Sequence, residues 1–101
     1  LSNETCQLFT TETSKISRRG LGFDKPDADD PKKGNCAPAA PAEVYGHTGF
    51  TGTCAWVDPM NELVYVFLSN RIYPDVTNRK LNQLHIRERI QGAIYDAMKK
   101  K

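Results

Sequence analysis

The residues of this chain that could do chemistry are concentrated in one stretch, residues 45–53, with the sequence Tyr-Gly-His-Thr-Gly-Phe-Thr-Gly-Thr. His47 can hold a proton near neutral pH, and the hydroxyls of Thr48 and Thr51 can donate hydrogen bonds to an anion or a carbonyl. Gly49 leaves room for a ligand or a second backbone to come close. This pattern indicates a binding or catalytic strand, although glycine and threonine also mark bulges in ordinary sheets.

The segments around this stretch predict a pair of antiparallel strands. Residues 44–57 are rich in strand-forming residues and are interrupted at Gly49 and Gly52, and residues 62–69 form a second apolar strand. Between them, the Asp-Pro-Met-Asn sequence of residues 58–61 has the aspartate and proline that a tight turn favours. Because apolar residues fill both faces of the second strand, we expect it to be central, with layers above and below it.

A helix should follow near the carboxyl terminus, with Asn78 as its cap. Leu81 and Leu84 lie off its apolar stripe, so the first turn should bend or pack elsewhere. His85 is interpreted as a partly exposed helix residue, because no second metal ligand stands at helical spacing. The stripe predicted to face the core consists of Ile86, Ile90, Ala93, Ile94 and Ala97.

The first part of the chain predicts two further elements. Ser2 can cap a short helix, and residues 18–24, with Gly20 and Gly22, suggest a strand approached closely by another backbone. The fold class expected from all these segments is α+β: an antiparallel sheet of three to four strands, with a short N-terminal helix and a C-terminal helix packed on it.

Residues 25–43 predict a long loop. A connection of this length inside a compact domain usually signals a functional lid or a flexible insertion. Its acids Asp27, Asp29 and Asp30 lack the glycine and the distal glutamate of a calcium loop, which favours a solvated turn. Regular structure is blocked by Pro26, Pro31, Pro38 and Pro41.

Composition indicates one ordinary globular domain over residues 1–101, with 39% hydrophobic and 26% charged residues. The net charge of +2 conceals a basic excess in residues 79–101, which closes on three lysines. No aromatic residues interleave with those lysines, so we expect a solvated helix end and no nucleic-acid partner. The longest apolar run, residues 63–68, is too short for a membrane span, and nothing resembles a signal peptide.

Cysteine usage predicts neither a metal site nor a redox motif. Cys6, Cys36 and Cys54 are odd in number and widely separated, so we interpret them as buried or idle thiols. No cofactor and no metal are therefore expected.

The order of these segments resembles the carboxyl-terminal region of the serine β-lactamase and penicillin-binding-protein superfamily, nearest to its class C-like esterases and peptidases. His47-Thr48-Gly49 is similar to that superfamily's third motif, usually Lys-Thr-Gly, and residues 20–23 resemble the strand before it. The hairpin around residues 58–59, the strand ending at residues 68–70 and a final helix follow in the same order. Residues 46–70 also resemble the end of proteins that join a family 3 glycoside hydrolase to such a module.

The resemblance implies a role for each site residue. Thr48, with Thr51, would bind a substrate carboxylate or carbonyl, Gly49 would leave room beside it, and the Phe50 backbone N–H would supply half of an oxyanion hole. His47 would take the place of the lysine. Because that exchange removes a permanent cation, it favours esters or peptides over β-lactams as substrates.

Two motifs of the superfamily are not found in these residues. They are the Ser-x-x-Lys that contains the nucleophile, and the Tyr-x-Asn or Ser-x-Asn loop. We therefore expect the chain to be the C-terminal part of a larger domain that begins upstream of Leu1, and to be inactive alone. The parent would be a bacterial serine hydrolase of the periplasm or cell envelope that cleaves an ester, amide or lactam through an acyl-serine.

The expected partners are the missing N-terminal part of the same domain, and a small-molecule or peptide-like substrate. The resemblance implies that the last strand pairs with that missing part, so its edge should be bare here and could form a homodimer. The alternative function is a non-catalytic binding or scaffolding module, in which the strand that contains His47-Thr48-Gly49 docks a peptide by β-augmentation.

Overall fold

The computed structural model of the chain describes residues 1–11, 16–17, 19–27, 30 and 34–99. The three strands form one antiparallel sheet in the order β1-β2-β3, and the predicted α+β class is confirmed. None of the helices in these ranges is long and apolar enough to cross a membrane. The elements are α1 (Asn3–Thr10), β1 (Tyr45–Thr48), β2 (Cys54–Asp58), β3 (Leu63–Phe67), α2 (Lys80–Gln83) and α3 (Ile86–Lys99).

The sheet consists of two consecutive hairpins with a continuous register. Trp56 of β2 faces Gly46 on one side and Tyr65 on the other. The predicted turn after β2 is confirmed: the Asp58 carboxylate accepts hydrogen bonds from the backbone N–H groups of Met60, at 2.9 Å, and Asn61, at 3.1 Å. Such a side-chain cap closes the turn because it satisfies two amides that the strands leave unpaired.

The core lies on one face of this sheet. Alternate residues of β2 point inward, so that Trp56 is 1% exposed while its neighbour Ala55 is exposed. Cys36, Val44, Cys54 and Tyr65 complete the buried cluster. Cys36 and Cys54 are free, buried thiols as expected, and Cys6 is free and exposed.

The helix α3 packs on the sheet with a different face from the predicted one. Gln91 and Tyr95 are its buried residues, whereas Ile90 is exposed. The predicted stripe is wrong because the buried polar residues have partners: Tyr95 Oη donates to the Asp58 carboxylate at 2.6 Å, and Gln91 Oε1 accepts from the Ala37 N–H at 2.7 Å. The stripe residues Ala93 and Ala97 are also exposed, while Ile94 packs against the core.

The predicted bend in the first helical turn is confirmed. The four-residue helix α2 ends before Leu84, and His85 takes a left-handed conformation, with φ of 50°, before α3 begins. His85 therefore lies in a break between helices and not within one helix. Asn78 Oδ1 accepts a hydrogen bond from the Lys80 N–H at 3.1 Å, but the predicted cap is displaced by one residue, because Arg79 is the N-cap of α2 and makes no side-chain capping bond. At the other end of the chain, Ser2 caps α1 as expected.

The strand predicted over residues 18–24 is not formed in the part that the structure describes, which omits residue 18. Asp24 makes a single antiparallel bridge to Gly46. The chain before it turns, because Gly22 adopts a φ of 90° and the Gly20 N–H donates to the Phe23 carbonyl at 3.0 Å. A strand would need extended backbone at those positions.

The apolar strand β3 was expected to be central but lies at the edge of the described sheet. Tyr65 is buried beneath α3, while Val64 and Val66 on the other face are 65% and 56% exposed. Both its outer edge and its second face are therefore uncovered within the residues that the structure describes. The central strand of this sheet is β2.

The loop over residues 25–43 contains no helix or strand in its described part, which leaves out residues 28–29 and 31–33. Its second half is packed, since Cys36 and Ala37 are buried and the Ala37 N–H bonds to α3. At least this half is part of the core rather than a free lid.

The buried pair of Tyr95 and Asp58 generates a prediction about stability and pH. Burial by itself raises the pKa of Asp58, but the hydrogen bonds from Tyr95 and Asn61 outweigh it, and the pKa is lowered. Burial, together with the neighbouring carboxylate, raises the pKa of Tyr95, so its hydroxyl remains a donor. We expect Tyr95→Phe to reduce the free energy of unfolding by about 1.5–3 kcal/mol at pH 7.

Urea denaturation at several pH values tests this expectation. A carboxylate with a lowered folded-state pKa stabilises above its unfolded pKa, near 4, and loses that contribution as the pH falls through the folded-state pKa. The destabilisation by Tyr95→Phe should therefore shrink in acid. Tyr73→Phe is the matched control, because Tyr73 is 78% exposed. Equal effects of the two variants would contradict the assignment.

Candidate functional site

The predicted site residues lie together where β1 ends. His47 and Thr48 are its last two residues, and Gly49, Phe50 and Thr51 follow in the connection to β2. We call this connection, residues 49–53, the site turn. It is closed by hydrogen bonds from Gly49 N–H to the Thr53 carbonyl, at 2.8 Å, and from Gly52 N–H to the Gly49 carbonyl, at 3.1 Å. The chemically suggestive stretch is thus half strand and half turn.

Two glycines of this hairpin are required by its own packing. A Cβ atom at Gly46 would collide with the Ala55 carbonyl and with the Trp56 ring, and one at Gly49 would collide with the Thr53 hydroxyl. Gly52 has a φ of 104°, which disfavours any side chain. These glycines therefore let the strand cross the core tryptophan and turn tightly, whatever else the site does.

The end of β1 is open to solvent. His47 and Thr51 are exposed, Phe50 is 69% exposed, and Thr48 and Gly49 are half-buried. The Arg71 guanidinium stacks on the Phe50 ring, 4.5 Å from its centroid. A ligand could approach these side chains and the adjoining backbone without displacing the core.

The site turn is anchored from below by Arg87 of α3. Its Nη1 donates to the carbonyls of Thr53, at 2.8 Å, and Gly49, at 3.2 Å, while Nη2 donates to the Asn82 side chain at 2.9 Å. The planar Arg87 guanidinium thus binds both ends of the site turn and also α2, the short helix that precedes α3. This arrangement fixes the direction of the backbone at Phe50.

A second set of contacts ties the site turn to the chain after β3. Ser69 Oγ donates to the Gly52 carbonyl at 2.8 Å, and the Arg71 N–H donates to the Thr51 carbonyl, also at 2.8 Å. Together with the two hydrogen bonds from Arg87, these contacts engage the carbonyl groups of four of the five residues of the site turn. Backbone held on several sides retains its geometry when a ligand arrives.

Arg19 is a residue of the site that the sequence analysis missed. Its Nη2 lies 3.3 Å from His47 Nε2, and His47 Nδ1 lies 2.7 Å from the Thr48 carbonyl. Because a guanidinium can only donate, Nε2 must accept and Nδ1 must bear the hydrogen given to Thr48. Arg19 Nε also forms an ion pair with Asp24 at 3.0 Å. The two contacts thereby hold the imidazole ring in one orientation.

A signal for Arg19 existed in the sequence. Antiparallel pairing of Asp24 with Gly46 brings the residues before Asp24 alongside those after Gly46. A strand over residues 18–24 was predicted, but its pairing partner was not, so the approach of Arg19 to His47 across 28 positions went unnoticed.

The remaining reactive groups do not add a catalytic centre here. Burial raises the pKa of the Cys54 thiol, so at neutral pH it is a protonated core residue. No group of three or more His, Cys, Asp or Glu side chains within the described ranges is placed to hold a metal ion. A cavity of about 660 Å³ lies between α1 and the start of β1, lined by Cys6, Thr10, Lys25, Tyr45 and Pro59 among others, and not by residues 47–51.

Comparison with known proteins identifies one family for most of this chain. A family model described as Beta-lactamase matches residues 2–88. Proteins named "Putative D-alanyl-D-alanine carboxypeptidase" are similar to this chain: that of Escherichia coli O157:H7 is 33% identical over 81 residues, and that of Salmonella typhi is 34% identical over 80 residues. These alignments cover 80% and 79% of the chain but only 18% of each relative.

The chain therefore spans less than a fifth of the length of these curated relatives. No solved structure matches. The comparisons give no support to the predicted link with family 3 glycoside hydrolases.

The anchoring of the site turn predicts the effect of replacing Arg87. Arg87→Met keeps most of the side-chain length but removes three hydrogen bonds, so we expect unfolding to become easier by about 2–4 kcal/mol. Faster amide hydrogen exchange at Gly49, whose N–H bonds to Thr53, should accompany the loss. Arg89→Met, an exposed change on the same helix, is the control. Unchanged exchange at Gly49 in Arg87→Met would show that the turn does not depend on this contact.

Proposed function

Because the chain belongs to the beta-lactamase family, we propose that it supplies one wall of the active site of a serine hydrolase. The wall is the end of β1 together with the site turn, and the nucleophile is contributed by another part of the domain. The observation that supports this assignment is the geometry of residues 47–50. They are consecutive, with His47 and Phe50 exposed and Thr48 and Gly49 half-buried, on a backbone that Arg87 holds in place. A rigid, exposed strand end is what an acyl-transfer site requires of such a wall.

The proposed reaction is hydrolysis through an acyl-serine. A serine oxygen attacks the substrate carbonyl carbon, the carbonyl oxygen becomes an oxyanion, and the alcohol or amine leaves before water releases the acid. The Phe50 N–H would donate one hydrogen bond to the oxyanion. Thr48 and Thr51 would bind the carbonyl or carboxylate of the substrate, whereas the space beside Gly49 is taken by the Thr53 hydroxyl. His47 would orient these groups, because its Nδ1 contacts the Thr48 carbonyl.

The proposed substrates are esters, amides or lactams. The name of the relatives adds a peptide ending in D-alanyl-D-alanine to the amides to be tested. Cleavage of any of them needs the nucleophile, so the activity belongs to the complete domain.

The uncovered surface of β3 is the proposed contact with the rest of that domain. Val64 and Val66 are largely exposed on one face, Leu68 is 77% exposed just beyond the strand, and the outer edge is unpaired among the described residues. An added strand would satisfy the edge amides, and a packed layer would cover the valines. Because the chain aligns with only 18% of the length of its relatives, we assign this surface to a contact with another part of the domain.

A binding module is the alternative function, and the open edge of β3 is the observation that favours it. An extended peptide could pair with that edge without any chemistry. The two functions differ in whether His47 and Thr48 matter, since neither lies on β3.

Reconstitution tests the hydrolase proposal. The chain is mixed with the preceding part of the domain, and hydrolysis of p-nitrophenyl butyrate is followed by absorbance. We expect hydrolysis only when the two parts are mixed, and by neither part separately. His47→Ala and Thr48→Val should each reduce the rate about 10-fold or more, because each removes a group that orients the substrate.

The chain offers a matched control, since it contains only two histidines. His85→Ala changes the exposed histidine between α2 and α3 and should leave hydrolysis unchanged. Full activity of His47→Ala and Thr48→Val, or no activity in a folded complex, would count against the proposal and favour the binding module.

Sedimentation equilibrium tests the role of the β3 surface. In the absence of the rest of the domain, we expect the chain to form homodimers through this edge, and Val66→Lys to make it monomeric, because a lysine there resists pairing and burial. Met60→Lys, at another exposed apolar residue, is the control. A wild-type monomer at high concentration would contradict the prediction.

A further inference from the structure

We infer that Arg87 is a positioning residue for the hydrolysis, and that it acts on the oxyanion through the single peptide unit that joins Gly49 to Phe50. This inference rests on the proposed function, in which the Phe50 N–H donates to the oxyanion. It gives α3 a part in the reaction, although Arg87 would contact the backbone of the site turn and not the substrate.

The peptide unit between Gly49 and Phe50 is held by its carbonyl oxygen. That oxygen accepts one hydrogen bond from the Gly52 N–H, at 3.1 Å, and one from Arg87 Nη1, at 3.2 Å. A carbonyl oxygen has two lone pairs, so both of them are engaged. Because the oxygen is bound by two donors, the plane of this peptide unit has little freedom to rotate.

The orientation of this carbonyl determines the direction of the Phe50 N–H. In a trans peptide unit the C=O and N–H bonds lie in one plane and point in opposite directions. The Gly49-Phe50 bond is trans, since the one cis peptide bond among the described residues is Tyr73-Pro74. The Phe50 N–H therefore points away from the Arg87 guanidinium. It donates to no acceptor in the part of the chain that the structure describes, so it is available to an oxyanion.

The guanidinium is itself held in a fixed position. Arg87 Nη1 also donates to the Thr53 carbonyl at 2.8 Å, and Nη2 donates to the Asn82 side chain at 2.9 Å. The Tyr65 hydroxyl donates to the Arg87 backbone carbonyl at 2.9 Å, which holds the start of the side chain. A planar cation bound in this way keeps its charge in one place, and fixed charges and dipoles are what stabilise an oxyanion most effectively.

No acid pairs with Arg87 among the described residues, whose two ion pairs are Arg19 with Asp24 and His85 with Glu88. Its guanidinium therefore keeps a positive charge beside the Gly49 carbonyl. A donor bound to the oxygen of a peptide unit polarises that unit and makes its N–H a stronger donor. Arg87 thus both directs the amide of the oxyanion hole and strengthens it.

Hydrogen exchange of the Phe50 amide tests this inference on the chain alone. Hydroxide removes the N–H proton and leaves an imidate whose negative charge lies on the Gly49 oxygen, and water then returns a proton to the nitrogen. Arg87 should stabilise the imidate, because a contacting charge of opposite sign favours an ionised group by about tenfold or more. We therefore expect this amide to exchange about tenfold faster than in an unfolded peptide of residues 45–53, measured by NMR near neutral pH.

Substitutions separate the charge of Arg87 from its anchoring of the turn. Arg87→Gln removes the charge, so exchange at Phe50 should slow by about tenfold, while exchange at Gly49 becomes faster because the turn is looser. Loss of anchoring alone would make both amides exchange faster. Arg87→Lys keeps the charge and should retain most of the fast exchange at Phe50. Arg71→Gln, which removes the cation from the Phe50 ring and not from the carbonyl, is the matched control and should have a much smaller effect.

Steady-state kinetics of the reconstituted domain then test the role of Arg87 in the reaction. Negative charge develops on the substrate oxygen in the transition state and not in the bound substrate. Arg87→Gln should therefore lower kcat for p-nitrophenyl butyrate by about tenfold or more and change KM by less than about twofold. A site that has merely become loose would raise KM as well. Arg89→Gln, at an exposed residue of α3, is the control and should leave both constants unchanged.

The inference is overturned if the Phe50 amide of the wild-type chain exchanges no faster than in the peptide, or if Arg87→Gln leaves kcat unchanged in an active complex. The first comparison needs no substitution, so it holds even if a variant fails to fold. A folded wild-type complex without hydrolysis would count against the proposed function alone, because the exchange experiment reports the charge at this peptide unit independently.

Discussion

The attachment of α3 to the sheet through buried hydrogen bonds is the constraint on which the rest of this structure depends. Tyr95 bonds to Asp58, Tyr65 bonds to the Arg87 carbonyl at 2.9 Å, and the Arg87 side chain bonds to the site turn. A buried polar group without a partner is costly, so each contact permits few orientations of the helix. Aliphatic packing would tolerate a rotation or a slip of α3, whereas these pairings do not.

The same constraint connects stability to the site. One face of α3 holds the turn after β2 through Tyr95, and about two helical turns earlier it holds the turn after β1 through Arg87. The two ends of β2 are thus fixed by one helix. A change in the buried face of α3 would therefore move residues 49–53, although none of the helical residues belongs to the proposed site. Ile90 of α3 and one face of β3, by contrast, are exposed among the described residues.

Local signals in the sequence were sufficient for the hairpin of β2 and β3 and insufficient for the helix. The turn at Asp58 is determined by neighbours in sequence, and the structure confirms it. The buried face of α3 was wrong because hydrophobicity ranks Ile90 above Gln91, while the partners of Gln91 and Tyr95 lie 54 and 37 positions away. No periodicity within a helix can report such partners. β3 was placed at the centre of the sheet for a related reason: its apolar residues show that both faces need cover, but not whether the covering layer belongs to this chain.

The same distinction between local and distant signals applies to the proposed site. Residues 47–51 were proposed as site residues from their types and spacing, because a strand end with hydroxyls and glycines is unusual in a core hairpin. Their proposed roles depend on a substrate and a nucleophile that the sequence cannot position. Arg19 was missed because it lies 28 positions before His47 and reaches it around a turn at Gly22. A motif of three consecutive residues assigns the positive charge to the lysine that is usual at its first position. An electrostatic site requires a cation at a position in space, and that cation can come from a distant part of the chain.

A guanidinium that comes from outside the motif is also held differently from a lysine. A lysine ammonium is a compact point charge that follows its ligand, whereas Arg19 is held by a buried carboxylate on one side and an imidazole on the other. In the structure, His47 is therefore the acceptor that orients Arg19, and its own position in the chain is not the only source of charge at the end of β1.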